Sequence, residues 1–193
     1  MAFNRYVVNL RKIVSEARNE MAKAQDKAEF ELSGPRKRLK DGLITQKGFE
    51  ELKEAAYEGT SGIGQAAIEK IDAEKERYFA AVDDWETPSA EKIVPDMQLL
   101  SGVFPLTGDE LIGLATKHRD NPLMVRAIKK HANDNNIGDF YTDAADGSAK
   151  KEAFTTVVKY AHNAIAYDDY APVILDDEHF AKIYNPALDG EPN

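Results

Sequence analysis

The chain has 193 residues, with 25 Lys and Arg against 34 Asp and Glu, for a formal net charge of −9. That length suits one ordinary domain, or a helical arm with a small domain, and the surplus of acid argues against general nucleic-acid binding, which needs surplus Lys and Arg to neutralise phosphates. The absence of cysteine excludes a disulfide framework, a thiol nucleophile, a Cys-ligated zinc site and an iron–sulfur cluster.

The first segment carries the clearest periodicity. Val7, Leu10, Val14, Ala17, Met21, Ala24 and Ala28 alternate spacings of three and four residues, the a/d pattern of a coiled coil. Val7, Leu10, Val14, Ala17 and Met21 are the candidate oligomerisation residues, because a helix this thin in apolar surface needs a partner, either within the chain or from another copy. Ser33-Gly34-Pro35 is expected to end it. Arg36 to Glu58 reads as a short helical hairpin turning at Asp41-Gly42, with Thr45 as N-cap of its second arm. Gly59-Thr60-Ser61-Gly62 reads as a second break, and a long helix follows from Ile63 to Trp85 with Ala67, Ile71, Tyr78 and Val82 on its apolar stripe.

The stretch 87–105 reads as a linker, with Pro88, Pro95, Gly102 and Pro105 as breakers and Ile93, Val94, Met97, Leu99, Leu100, Val103 and Phe104 as anchors to a surface. Beyond it, Thr107 and Glu110 have capping-box spacing before an apolar run. Asn121-Pro122 places a cap and a first-turn proline at the start of the next helix. A polar loop from Gly138 to Gly147 carries Phe140 and Tyr141, and Ser148 begins a third helix through Phe154, Val158 and Ile165. Asp176-Asp177-Glu178 opens a short last helix, its acids suited to the positive end of the dipole. Val173-Ile174-Leu175 is the best strand candidate and too short for a sheet. The expected fold is therefore all-α: long N-terminal amphipathic, coiled-coil-like helices (1–86), a linker (87–105) and a small C-terminal helical bundle (106–193), in which Leu111, Leu114, Ala115, Val125 and Ile128 pack against Phe154, Val158 and Ile165.

The chemical motifs are weaker than the structural ones. Gly59-Thr60-Ser61-Gly62-Ile63-Gly64 has the look of a dinucleotide-binding glycine loop, but such loops follow a buried strand and here a helical pattern precedes it. Asp176, Asp177, Glu178 and His179 are adjacent on one helix, so they diverge from a single ion. Asn133 to Asp139 fails the calcium-loop spacing, since Ile137 and Ala144 fall where oxygen ligands are required. No GxSxG elbow occurs, and no catalytic, cofactor or metal site is assigned. Arg126, Lys129 and Lys130 lie on one side of a helix and form the candidate partner-docking face. The same helix with the one before it, 109–131, gives the alternative reading of a helix-turn-helix DNA-binding regulator.

Leu106-Thr107-Gly108-Asp109-Glu110-Leu111 and Lys117 through Arg126 resemble segments in small helical proteins encoded in the head-gene region of tailed bacteriophages. The heptad arm, the high charge and the lack of cysteine resemble phage scaffolding and other minor structural proteins. The resemblance implies a non-enzymatic virion or capsid-assembly role, self-association into a homo-oligomer, capsid or other phage structural proteins as partners, and a place in the host cytoplasm or the virion. Scaffolding proteins of that kind often carry a basic capsid-binding end; here the end holds Asp168, Asp169, Asp176, Asp177, Glu178, Asp189 and Glu191 against Lys182. No cofactor, nucleic acid or membrane is expected as a partner, because no apolar run approaches the ~20 residues that span a bilayer and Arg5, Arg11 and Lys12 interrupt the N-terminus in a way no signal peptide does.

Overall fold

The three-four repeat of the first segment becomes one helix, α1 (Asn4–Lys40), in a computed structural model that describes residues 3–101, 105–138 and 147–184. It does not end at Ser33-Gly34-Pro35. A proline in a helix interior costs about 3 kcal/mol, and local contacts hold the chain helical across it. Leu32 is buried, Ser33 Oγ donates to Phe30 O at 2.7 Å, and Arg36 Nη1 meets Glu29 Oε2 at 2.6 Å. The last turn carries Lys37, Arg38 and Lys40, cations that suit the negative end of the dipole. The turn falls at Asp41-Gly42 as expected, with Gly42 at φ +72°. Thr45 Oγ1 then accepts from Gly48 N at 3.2 Å at the start of α2 (Gln46–Glu86).

Helix α2 also runs through its expected break at Gly59–Gly62. Each glycine costs about 1 kcal/mol against alanine in a helix. The seam that follows outweighs this: Ala67, Ile71, Tyr78, Val82 and Trp85 are all buried at three-four spacing. Gly64 lies on that seam, where a Cβ would make ordinary contact with Ile165 Cγ2 at 3.6 Å and Met21 Sδ at 4.0 Å.

The chain forms two compact units, and their boundaries do not follow the expected divisions at 86 and 105. One unit comprises Val8–Glu74 and Val157–Lys182; the other comprises Met1–Val7, Lys75–Thr156 and Ile183–Asn193. The reason is that α1, α2 and α5 (Gly147–Ala166) each pass from one unit into the other.

In the first unit α1 and α2 are antiparallel. Asn9 Nδ2 donates to Glu74 Oε1 at 3.0 Å, and Tyr57 donates to Glu29 at the far end. Arg11 bolts down the C-terminal segment formed by α6 (Ala171–Leu175) and α7 (Asp177–Phe180). Its Nε donates to Ile174 O at 2.8 Å, and its Nη2 donates to Leu175 O at 2.9 Å and Asp177 Oδ1 at 2.6 Å. It thereby satisfies terminal carbonyls of α6, groups that helices leave unpaired. Val173-Ile174-Leu175 is thus helical and not a strand; Pro172 pre-sets its first turn and Ile174 is buried.

In the second unit α3 (Gly108–Lys117) and α4 (Pro122–Asp134) start where expected. Glu110 N donates to Thr107 Oγ1 while Glu110 Oε2 accepts from Thr107 N at 2.8 Å, and Asn121 Oδ1 accepts from Met124 N at 3.1 Å. Their core is not the expected one. Leu111, Ala115, Met124, Ile128 and Ala132 are buried with Val94, Met97 and Leu100 packed on them. Those three come from the supposed linker, which holds two 3₁₀ helices, Ala90–Lys92 and Pro95–Ser101. Phe154 instead stacks on Tyr78, with centroids 3.9 Å apart and planes 6° from parallel. The linker breaker Gly102 and anchors Val103 and Phe104, and the loop residues Phe140 and Tyr141, lie outside the described residues. Among the described residues every regular element is helical, so the fold class is all-α, and no helix is long and apolar enough to cross a membrane.

The start of α5 yields a test. Gly147 N donates to Glu86 Oε1 at 3.0 Å, and the same oxygen lies 3.4 Å from Arg126 Nη2. A Cβ at Gly147 would meet Glu86 Cδ at 2.2 Å, so Gly147→Ala should push the carboxylate off the helix start. The expected loss is about 1 kcal/mol, the usual size of a cap. Thermal unfolding of a double-mutant cycle with Glu86→Ala checks it: the alanine at 147 should cost nothing further once Glu86 is gone.

Candidate functional site

The candidate site is a groove of about 340 Å³ between α1 and α2, in the unit that holds Val8–Glu74. Ile13, Ala17, Gly62, Ile63, Ala66 and Ala67 make its apolar, small-residue lining, and Glu16, Glu20 and Lys70 are its charged groups. Gly59 and Gly62 are open to solvent with no atom near a notional Cβ. Their effect is to keep α2 thin on this face, so the groove exists because glycine and alanine stand where a longer side chain would fill it.

The seam residues expected to oligomerise point elsewhere. Val7, Leu10, Val14 and Ala17 are buried within a single chain, Leu10 and Val14 completely. Met21 is half-buried. A second copy has no access to this seam without displacing the chain's own packing, so the heptad pattern reports the intramolecular core.

The expected docking face is internally neutralised. Arg126 Nη2 reaches Glu86 O and Oε1, each at 3.4 Å, and Lys130 Nζ binds Asp134 Oδ2 at 2.8 Å. Lys129 is half-buried. Lys117, the neighbouring cation, is held by Asp96 at 2.7 Å. Phosphate binding by α4 would compete with these pairs. The other motifs resolve in the same way. Among the described residues no group of His and acids could hold a metal. Asp176 caps α7 through His179 N at 3.0 Å, and Asp177 serves Arg11. Asn136 takes a left-handed φ of 51° and Ile137 N returns to Ala132 O at 3.0 Å, so the calcium-like run is the end of α4. Asp139 and Ala144 lie outside the described residues.

Two features were not foreseen from the sequence. Lys150 is buried at 4% exposure, with its ammonium 5.0 Å from the ring centres of both Phe3 and Trp85. The two rings offset part of its desolvation by cation–π attraction, and Tyr78 Oη donates to its backbone carbonyl. No local signal marks this lysine, because its aromatic partners come from two distant segments. The second feature is Phe30, exposed at 81%, with Leu43 at 68% farther along the same hairpin. Comparison with known protein families, curated proteins and solved structures finds no match.

One ion-pair cluster gives a pH test. Asp96 Oδ2 accepts from His118 Nε2 at 2.8 Å and from Lys117 Nζ at 2.7 Å, tying the second 3₁₀ helix to α3. His118 first, and Lys117 next, hold the Asp96 carboxyl below its usual range. A depressed carboxyl stabilises the fold above the ordinary carboxylate range and ceases to do so as pH falls through its own lowered value. Asp96→Asn should therefore lower the urea midpoint at pH 7, and the gap from wild type should close on acidification below that range. Trp85, the only tryptophan, reports on this unit because its Nε1 donates to Asp120 O at 3.1 Å.

Proposed function

We propose that this protein is a non-enzymatic structural or assembly component, of the sort its resemblance to phage head-region proteins implies, and that it acts by protein–protein contact through the α1–α2 hairpin. The observation that carries this reading is the pairing of a small-residue groove, lined by both apolar and charged side chains, with exposed apolar side chains on the same hairpin. Phe30, Leu43 and Leu52 are all solvent-exposed. Burying one such side chain is worth about 1.5–3 kcal/mol, a gain that only a partner surface can collect. The docking role moves from Arg126, Lys129 and Lys130 to the hairpin, since those cations already have partners. It moves likewise from the heptad seam, which is full.

Sedimentation over a range from ~1 to ~100 µM tests the reading, because even an association of about −6 kcal/mol shows at the upper end. The expected result is a mass that rises with concentration. A second arm titrates duplex DNA at ~150 mM salt, where non-specific phosphate contacts are already weak; no binding is expected. A strictly monomeric protein at ~100 µM, or salt-sensitive DNA binding that outcompetes self-association, would overturn the proposal.

A further inference from the structure

Helix α1 carries a second three-four repeat on its solvent face. Ile13, Glu16, Glu20, Lys23, Lys27 and Phe30 follow one another at alternating spacings of three and four, so they form a single stripe. Lys12 and Glu31 flank it at either end. All except half-buried Ile13 are exposed. The stripe is offset from the buried seam, and it borders the groove, whose α1 wall is Ile13, Glu16, Ala17 and Glu20.

The order of charges on this stripe is self-complementary. Turn a second copy of α1 antiparallel about a point between Met21 and Ala22. Glu20 then faces Lys23, Glu16 faces Lys27, Lys12 faces Glu31, and Phe30 faces Ile13 at the end of the groove. Each pairing occurs twice, as a two-fold interface requires, where residue i meets j and j meets i. An unrelated partner gives no reason for charges and apolar groups to mirror each other about one point. The charges are also available. Glu20 and Lys23 have no ion-pair partner among the described residues, and Lys12–Glu16 and Lys27–Glu31 are loose surface pairs at 3.7 and 3.8 Å.

We infer that α1 docks antiparallel against α1 of a second copy of this chain, with Phe30 of each copy seated at the groove end beside Ile13 of the other. This inference deepens the assembly reading and rests on it, and it replaces the buried heptad seam with an exposed face. The groove supplies what a bare charged stripe lacks. Ala17, Gly62, Ile63 and Ala66 leave room beside α1, so a phenyl ring carried in on the partner helix meets an apolar recess. The acids Glu16 and Glu20 at its edge select the partner's lysines and reject a parallel approach, which would set like charges together.

Charge exchange tests it on the full chain. Glu16→Lys with Glu20→Lys makes the central stripe wholly basic; Lys23→Glu with Lys27→Glu makes it wholly acidic. All four sites are exposed, and unchanged helicity by circular dichroism verifies that each variant is folded. Each double variant alone should weaken self-association at least about tenfold, a change of about 1.4 kcal/mol. An equimolar mixture of the two should restore a dimer of near wild-type strength, because every facing pair is again opposite in sign. Phe30→Ser should weaken the wild-type dimer without altering helicity. If the wild type self-associates but both charge variants do so equally well, or the mixture restores nothing, the antiparallel stripe is wrong while the assembly reading survives through another face. If the wild type is a monomer at ~100 µM, both fall.

Discussion

The molecule depends on α2 being one uninterrupted helix. Its middle holds Gly59, Gly62 and Gly64, a combined propensity loss of about 3 kcal/mol against alanine. On the other side stand Ile71, Tyr78, Val82 and Trp85, all buried and each worth about 1.5–3 kcal/mol. Burial wins, and the consequences spread. Because α2 continues, residues 46–58 lie along α1 and do not fold back as a separate arm, and Tyr57 reaches Glu29 across the pair. Because the glycines are helical, they thin the helix instead of turning it, and the groove opens beside Ile13 and Ala17. The same residues that weaken α2 locally shape this groove.

The aromatic set of the second unit shows how a sparse sequence builds a core. Tyr78 touches Phe3, Tyr6, Phe79 and Phe154, with ring centres between 3.9 and 6.5 Å. Trp85 meets Phe3 edge-on at 6.0 Å. Edge and stacked pairs add about 0.5–1.5 kcal/mol each beyond area burial. Lys150 is admitted here because ring faces attract its charge. An alanine-rich α1 therefore needs few large residues: Phe3 and Tyr6 at its start carry the packing that the later alanines cannot.

What the sequence made legible follows the range of the physics involved. Caps were legible, because Thr107 with Glu110, and Asn121 with Pro122, complete their hydrogen bonds within three residues. The Asp41-Gly42 turn was legible for the same reason, since a positive φ favours glycine at one position. Breaks were over-read. Pro35 and Gly59 to Gly62 are local penalties, and whether a helix survives them is decided by Leu32, Ile71 and Tyr78 packing against residues far off in sequence. The seam of Val7, Leu10 and Val14 was legible as a covered face, but periodicity left open whether this chain or a second copy covers it, and burial within the chain decides that. The stretch 87–105 was legible as anchored, and Val94, Met97 and Leu100 do pack on the α3–α4 core, but its 3₁₀ turns and polar ties were not. Asn121 Nδ2 donates to Lys92 O at 2.7 Å and Lys92 Nζ reaches Thr87 O at 2.5 Å, ties that composition does not reveal.

Charge, finally, has two jobs here that composition alone cannot separate. Several ionic groups are spent inside the chain: Arg11 on the C-terminal helices, Arg126 on Glu86, Lys117 on Asp96, Lys151 on Asp83 at 2.6 Å. These fix elements in place and leave little surplus for a ligand. The stripe from Lys12 to Glu31 is different, since its charges lie in solvent at mirror positions. Exposed ion pairs contribute only about 0–1 kcal/mol each, so affinity in such an interface has to come from Phe30 and Ile13, which are apolar and meet at both ends. The charges supply what apolar contact cannot, a preferred register and direction: sliding the partner helix by three residues sets Lys23 against Lys23 one way or Glu20 against Glu20 the other. Salt should therefore blur the register before it abolishes the contact, because screening acts on exposed pairs and leaves the burial of a phenyl ring almost unchanged. A helix face with weak attraction and strict geometry is what a reversible assembly component needs.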